Sequence, residues 1–192
     1  MDRMGNEGCD KVLVLGATNV PWEIDSAMRR RFEKRVYIPL PDEDARTSMI
    51  KIHVGDTSHC LSEGTFDGLG RLTVGASGSD IKNLVKDALM EPVRRCLDAQ
   101  QIILGEEGEH WMPCNKYPNC GYCPQVMSTT TPCEKCGAKW IGMEDVPPEM
   151  LREPDLCKDD FRRALCSWTK SVHKDSLKKY MEFTETFGSD GN

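Results

Sequence analysis

The chain has 192 residues, 39% of them hydrophobic, and 31 acidic against 25 basic side chains leave a formal net charge of −6. That balance argues against nucleic acid as the main partner, because phosphate binding is chiefly electrostatic and needs clustered basic surface. No apolar run is long enough to span a bilayer and no signal sequence is seen, so a cytoplasmic protein is expected, and the ten cysteines read as reduced thiols or metal ligands before disulfides.

In chain order, Val12, Leu13, Val14 and Leu15 form a continuous apolar run closed by Gly16, the pattern of a central strand covered on both faces of a parallel sheet. Asn19 then falls at the carboxyl end of that strand, where open α/β sheets place ligands. Pro21 and the Asp25-Ser26 pair mark a turn and a helix start leading into Ala27, Met28, Arg29, Arg30, Arg31 and Phe32. Val36, Tyr37 and Ile38 predict a second strand, stopped by Pro39 and Pro41. A helix is expected from Asp42 to Val54, with acids in its first turn that suit the helix dipole. Ser77 followed three residues later by Asp80 is a capping-box pattern, and Ile81, Leu84, Val85, Ala88 and Leu89 recur behind it at helical spacing. Further helices are expected over Asp159 to Ser167 and over the last stretch, where Leu177, Tyr180, Met181, Phe183 and Phe187 share a face and Gly188 supplies the cap.

Four cysteines form a second feature. Cys120-Gly121-Tyr122-Cys123 and Cys133-Glu134-Lys135-Cys136-Gly137 make two C-x-x-C pairs joined by a short loop, each able to offer two thiolates to one ion. The glycines beside them allow tight turns, so a closed, structural four-thiolate zinc site is predicted, with Cys114 and His110 as nearby substitutes for one ligand. The segment 105–154 is too short to bury a sufficient core of its own and reads as loops held by metal. His53, His59 and His173 have no partners at ligand spacing.

The block GATN, a helix ending in RRRFEKR and a strand ending in PLP together resemble the AAA-type ATPases of the group that holds katanin, spastin and the vacuolar protein sorting ATPases. Gly75-Ala76-Ser77-Gly78-Ser79-Asp80-Ile81 is similar to that family's G-Y-S-G-x-D-I element. Asp87 to Arg94 and Leu177 to Gly188 point to the vacuolar sorting branch. The resemblance covers roughly three quarters of the chain.

The resemblance implies an α/β remnant over 1–41, the carboxy-terminal strands of an AAA parallel sheet. A mostly helical lid follows over 42–104 and 155–192, with the small zinc module of 105–154 inserted in it. It implies that Asn19 is the first sensor, which orients the attacking water, and that Arg29 and Arg30 are arginine fingers acting on a neighbouring subunit's nucleotide, with Arg31 structural. Only guanidinium, always charged and forked, suits the finger's task. Gly75, Ser77 and Gly78 would line the adenine pocket, although Ala76 replaces the usual aromatic, and Lys170 stands where the family usually has proline. The inserted module falls where the vacuolar sorting ATPases carry a docking place for an activator protein.

No stretch fits G-x-x-x-x-G-K-[ST], and no apolar run ends in the paired acids that hold magnesium. The chain alone is therefore expected to hydrolyse no ATP, with ATP and magnesium belonging to the full-length parent. The implied function is the carboxy-terminal part of a hexameric machine that disassembles endosomal sorting (ESCRT) filaments, recruited to endosomal membranes and touching the membrane only indirectly. The alternative is a non-enzymatic, zinc-stabilised module docking on full-length subunits. Without their partner strands, residues before about Asp42 are expected to associate or to lack fixed structure.

Overall fold

The computed structural model describes residues 13–99, 102–104, 110–114, 133, 137–139 and 146–189. In chain order its elements are α1 (Ser26–Arg31), α2 (Glu43–Val54), α3 (Glu63–Leu72), α4 (Gly78–Leu97), β1 (Ile102–Leu104), β2 (Trp111–Pro113), α5 (Lys158–Ser167) and α6 (Lys174–Phe187), with single 3-10 turns at Pro21–Glu23 and Pro148–Met150. They fall into two compact units: residues 1–38 with 174–192, and residues 39–173.

The larger unit is a helical body. Each helix start is closed by its own side chain: Asp42 accepts from the Ala45 amide at 2.8 Å, and Ser62 from the Thr65 amide at 3.3 Å. Ser77 and Asp80 complete the expected capping box with reciprocal bonds of 3.2 and 2.9 Å, which satisfy amide donors that a helix start leaves open. Ile50, Phe66, Leu69, Ile81, Leu84, Val85, Leu156, Phe161 and Ala164 form one continuous core among α2, α3, α4 and α5. Arg46 is buried where α2 meets α3, donating from Nε and Nη2 to the Gly70 carbonyl and from Nη1 to that of Pro41. Gly70 is required at that crossing, because a Cβ there would stand 2.1 Å from Thr47 Oγ1. Across α4 and α5, Glu91 pairs with Arg94 and Arg163, and the fully buried Asp160 pairs with Arg95 and Arg163.

The only sheet among the described residues is the antiparallel pair β1–β2, with Ile102 opposite Pro113 and Leu104 opposite Trp111. Single bridges extend it, from Ile102 to Lys139 on one side and from Trp111 to Leu151 on the other.

The smaller unit corrects one expectation. Residues 13–18 and 32–38 are irregular and not strands, and Leu13 and Leu15 are each 90% exposed, with Val36 and Ile38 exposed as well. A strand satisfies its backbone only through neighbouring strands, and the described residues supply no partner strand for these two segments. The helix between them forms as expected, with Asp25 capping it through the Met28 amide at 2.9 Å. The last helix also forms where expected. It clusters with the amino-terminal stretch.

Candidate functional site

In the smaller unit, α6 organises the segment that carries Asn19, Arg29 and Arg30. Tyr180 is its centre. The Tyr180 ring lies 5.1 Å from that of Trp22 and 6.3 Å from that of Tyr37, and its hydroxyl donates to the Asn19 carbonyl. Asn19 itself sits in an exposed bend beside Thr18, whose hydroxyl accepts from the Val20 amide. One turn from the end of α6, Phe183 packs on Phe187, and the Arg29 guanidinium lies 5.0 Å over the Phe187 ring. Beyond α6, Ser189 and Arg35 exchange backbone and side-chain bonds of 3.0 and 3.3 Å.

Arg29, Arg30 and Arg31 fill the last turn of α1, where cations complement the helix dipole. They differ in setting. Arg29 is half-buried against Phe187, whereas Arg30 and Arg31 are exposed, and none of the three makes an ion pair among the described residues. The arginines and Asn19 were readable from the sequence; their supports Trp22, Tyr180 and Phe187 were not, although the apolar stripe of the last helix was the available signal.

Gly75, Ser77 and Gly78 belong to the larger unit. Gly75 has φ of +77°, a conformation glycine adopts without strain. The Ala76 side chain is completely buried in the core, so this position faces inward and not toward a ligand. Gly78 lies against Met49, and the Lys170 ammonium reaches within 3.6 Å of where a Gly75 Cβ would stand. Asp80 holds the loop to the segment after α5, accepting from the Ser171 amide at 3.2 Å, while Trp168 Nε1 donates to the Asp80 carbonyl. Burial pushes the Asp80 carboxyl up, but hydrogen bonds from Ser77 and Ser171 outweigh it and hold the group below its ordinary value.

Of the predicted zinc ligands, Cys120, Cys123 and Cys136 lie outside the described residues; Cys133 is described and buried. Its amide donates to the Ala138 carbonyl and its carbonyl accepts from the Gly137 amide, both at 2.8 Å, and Gly137 has a φ of +73°. Ala138 and Lys139 then run beside Ile102 of β1. Cys114 is buried at the end of β2, and His110 is half-buried just before it. Among the described residues no group of three or more His, Cys, Asp or Glu side chains is gathered to hold a metal, so the zinc-bound character expected for this module is not displayed by them.

The profile of the ATPase family associated with various cellular activities (AAA) matches residues 1–40, that of the AAA+ lid domain residues 65–103, and that of the Vps4 C terminal oligomerisation domain residues 130–188. The chain belongs to the AAA ATPase family, in the group defined by the Vps4 carboxy-terminal domain. It is 44% identical over 186 residues to vacuolar protein sorting-associated protein 4B of Mus musculus, covering 95% of this chain and 39% of that protein. To vacuolar protein sorting-associated protein 4A of Homo sapiens it is 41% identical over 194 residues, covering 99% and 42%. The chain thus spans about two fifths of the length of these curated relatives. Among solved structures, the FIGL-1 AAA domain is similar with a TM-score of 0.61 at 26% identity, covering 92% of this chain and 44% of that one. A katanin structure concerned with self-assembly is similar with a TM-score of 0.53 at 27% identity, covering 88% and 45%.

Proposed function

We propose that this chain supplies the lid, the carboxy-terminal helix and one side of the inter-subunit catalytic site of an ATP-driven AAA machine that works in vacuolar and endosomal sorting. Asn19 orients water in the subunit's own site. Arg29 and Arg30 reach a neighbour's nucleotide and stabilise charge on the transferring phosphoryl group. Gly75, Ser77 and Gly78 line the adenine side. The machine is a hexamer that disassembles ESCRT filaments at endosomal membranes and takes an activator protein at the inserted module. ATP and magnesium bind in the full-length subunit; the sequence of this chain contains no phosphate-binding loop, and by itself it hydrolyses no ATP.

The observation that carries this reading is the packing of α6 on the sensor and finger segment, Tyr180 on the Asn19 carbonyl and Phe187 under Arg29. A helix at the far end of the chain that steadies both groups fits a segment whose side chains act on nucleotide. The test is a chimera in which residues 1–192 replace the matching part of a full-length vacuolar sorting ATPase. Hydrolysis is expected to survive the exchange. Converting Arg29 and Arg30 together to alanine is then expected to cut kcat by about 10³ while hexamers still form. Undiminished hydrolysis in the double variant would defeat the finger assignment.

The alternative, a non-enzymatic module docking on full-length subunits, uses the same two arginines. It predicts that the separate chain, mixed with a full-length subunit, changes that subunit's ATPase rate and that the Arg29, Arg30 double variant does not.

The cysteine-rich segment is read as a structural zinc module held by Cys120, Cys123, Cys133 and Cys136. Its support is Gly137, the glycine just after the second C-x-x-C pair, which takes the positive φ that a metal knuckle needs and donates its amide to the Cys133 carbonyl. Zinc per chain is expected at one equivalent. Its persistence after Cys120→Ser with Cys133→Ser would remove the assignment.

A further inference from the structure

Two thiols outside every site described above are brought together by the way the larger unit is tied. The loop before α3 and the segment entering α5 run side by side in parallel. The Leu156 amide donates to the Ser58 carbonyl and the Cys60 amide to the Leu156 carbonyl, both at 3.0 Å, which puts His59 opposite Leu156. Ser58 Oγ reinforces the join through Asp155 Oδ1 at 2.6 Å. Side chains on paired extended segments alternate between faces. Leu156 is 1% exposed and points into the core, as does Leu61, two residues beyond His59 and so on the same face, while the His59 ring meets Phe66 edge-on from an exposed position. The next residue on each segment, Cys60 and Cys157, therefore faces outward on the other side, one step along from the paired residues.

The spacing suits a covalent link. Extended segments paired in this way run about 4.8 Å apart, inside the roughly 4.4 to 6.8 Å between Cα atoms that a disulfide spans. Cys60 Sγ already lies 3.6 Å from the Leu156 carbonyl oxygen, the atom just before Cys157 in the chain. We propose that Cys60 and Cys157 form a reversible dithiol–disulfide site that reacts with low-molecular-weight disulfides.

The two thiols have different parts in that exchange. Cys60 is exposed, so its thiolate meets the reagent first, attacking one sulfur of the small disulfide and expelling the other half as a thiolate. Cys157 is half-buried at the start of α5, and burial, reinforced by the Asp160 carboxylate, holds its thiol above the usual value. It is the resolving thiol. Its thiolate attacks the Cys60 sulfur and releases the second small thiol, so the protein loses two electrons and two protons while one small disulfide becomes two thiols.

The position gives the bond a structural consequence. Cys157 is the N-cap of α5, and its amide donates to Asp160 Oδ2, the same oxygen that accepts from Arg95 of α4. A bond to Cys60 would turn the cap sulfur toward the α3 loop and fasten that loop to the α4–α5 contact.

The experiment treats the intact chain with oxidised glutathione, alkylates the remaining thiols and maps peptides without reduction. The expected result is a peptide joining Cys60 to Cys157, lost in Cys60→Ser and in Cys157→Ser. In Cys157→Ser, Cys60 is expected to accumulate as a stable glutathione adduct, because the resolving thiol is gone. Circular dichroism checks that each variant remains folded. The proposal is overturned if wild-type Cys60 stops at the glutathione adduct, or if both thiols stay open to alkylation while other cysteines react.

Discussion

The two compact units solve the same backbone problem in opposite ways. In residues 39–173, α2, α3, α4 and α5 satisfy their own amides, close their starts with Asp42, Ser62, Ser77 and Asp160, and bury Ile81, Leu84 and Phe161 completely. In residues 13–38 the apolar residues Leu13, Leu15, Val36 and Ile38 are turned outward, since strands obtain their ladder of hydrogen bonds only from neighbouring strands and the described residues offer no such partner. A helical lid can therefore keep its structure alone. Sequence written for the middle of a sheet cannot, however apolar it is.

The largest expected effect measures that difference directly. Amide exchange at Leu13 to Leu15 and at Val36 to Ile38 should run near the unprotected rate, whereas Leu84 and Val85 in α4 should be slowed by on the order of 10³-fold or more, the range of a whole-domain opening. Comparable protection in both places would break the contrast. Next in size, Phe161→Ala removes a ring with no solvent exposure from the contact of α5 with α4 and should cost about 3 to 5 kcal/mol in urea unfolding of the helical unit. Two glycines of α3 sharpen the point further. Gly70→Ala drives a methyl to within 2.1 Å of Thr47 Oγ1 and 3.2 Å of the Glu43 carbonyl, so about 1 to 3 kcal/mol should be lost. Gly68→Ala meets nothing within 4 Å and should gain up to about 1 kcal/mol from helix propensity.

Those glycines also explain what the sequence concealed. Residues 63–72 read EGTFDGLGRL, with three glycines in ten positions, and no helix is expected there from local preference. It forms because Phe66 and Leu69 are buried against α2 and because Gly70 lets the two backbones approach. That gain is tertiary and invisible to a reading of one segment at a time. The helices α2, α4, α5 and α6 were legible, since caps and 3.6-residue spacing are local signals that survive in the fold. The strands β1 and β2 were missed because three residues each, paired by register, give no period to detect. For the candidate site the side chains were legible and their surroundings were not. Arg29 is found from its motif, but the ring beneath it lies more than 150 positions away, and chain-distant contacts leave no trace in spacing.

The remaining effect concerns the loop of Gly75 to Asp80, one of the places in the helical unit where a carboxylate adds to what packing supplies. Asp80 accepts from the Ser77 amide and from the Ser171 amide, and these bonds keep its folded value below the ordinary carboxylate value despite burial. A depressed folded value means that the unfolded chain binds the proton more readily. The stabilisation is therefore complete above the ordinary value of about 4 and is lost as pH falls through the folded value. Glu91, held down by Arg94 and Arg163 against its own burial, acts in the same direction. Asp80→Asn keeps the shape and removes the charge, so it should cost about 1 to 2 kcal/mol at neutral pH. Its urea midpoint should then fall less steeply with acid than that of the wild type, the two curves converging below the folded value. A variant whose acid profile ran parallel to the wild type throughout would show that the loop is held by packing and not by the carboxylate.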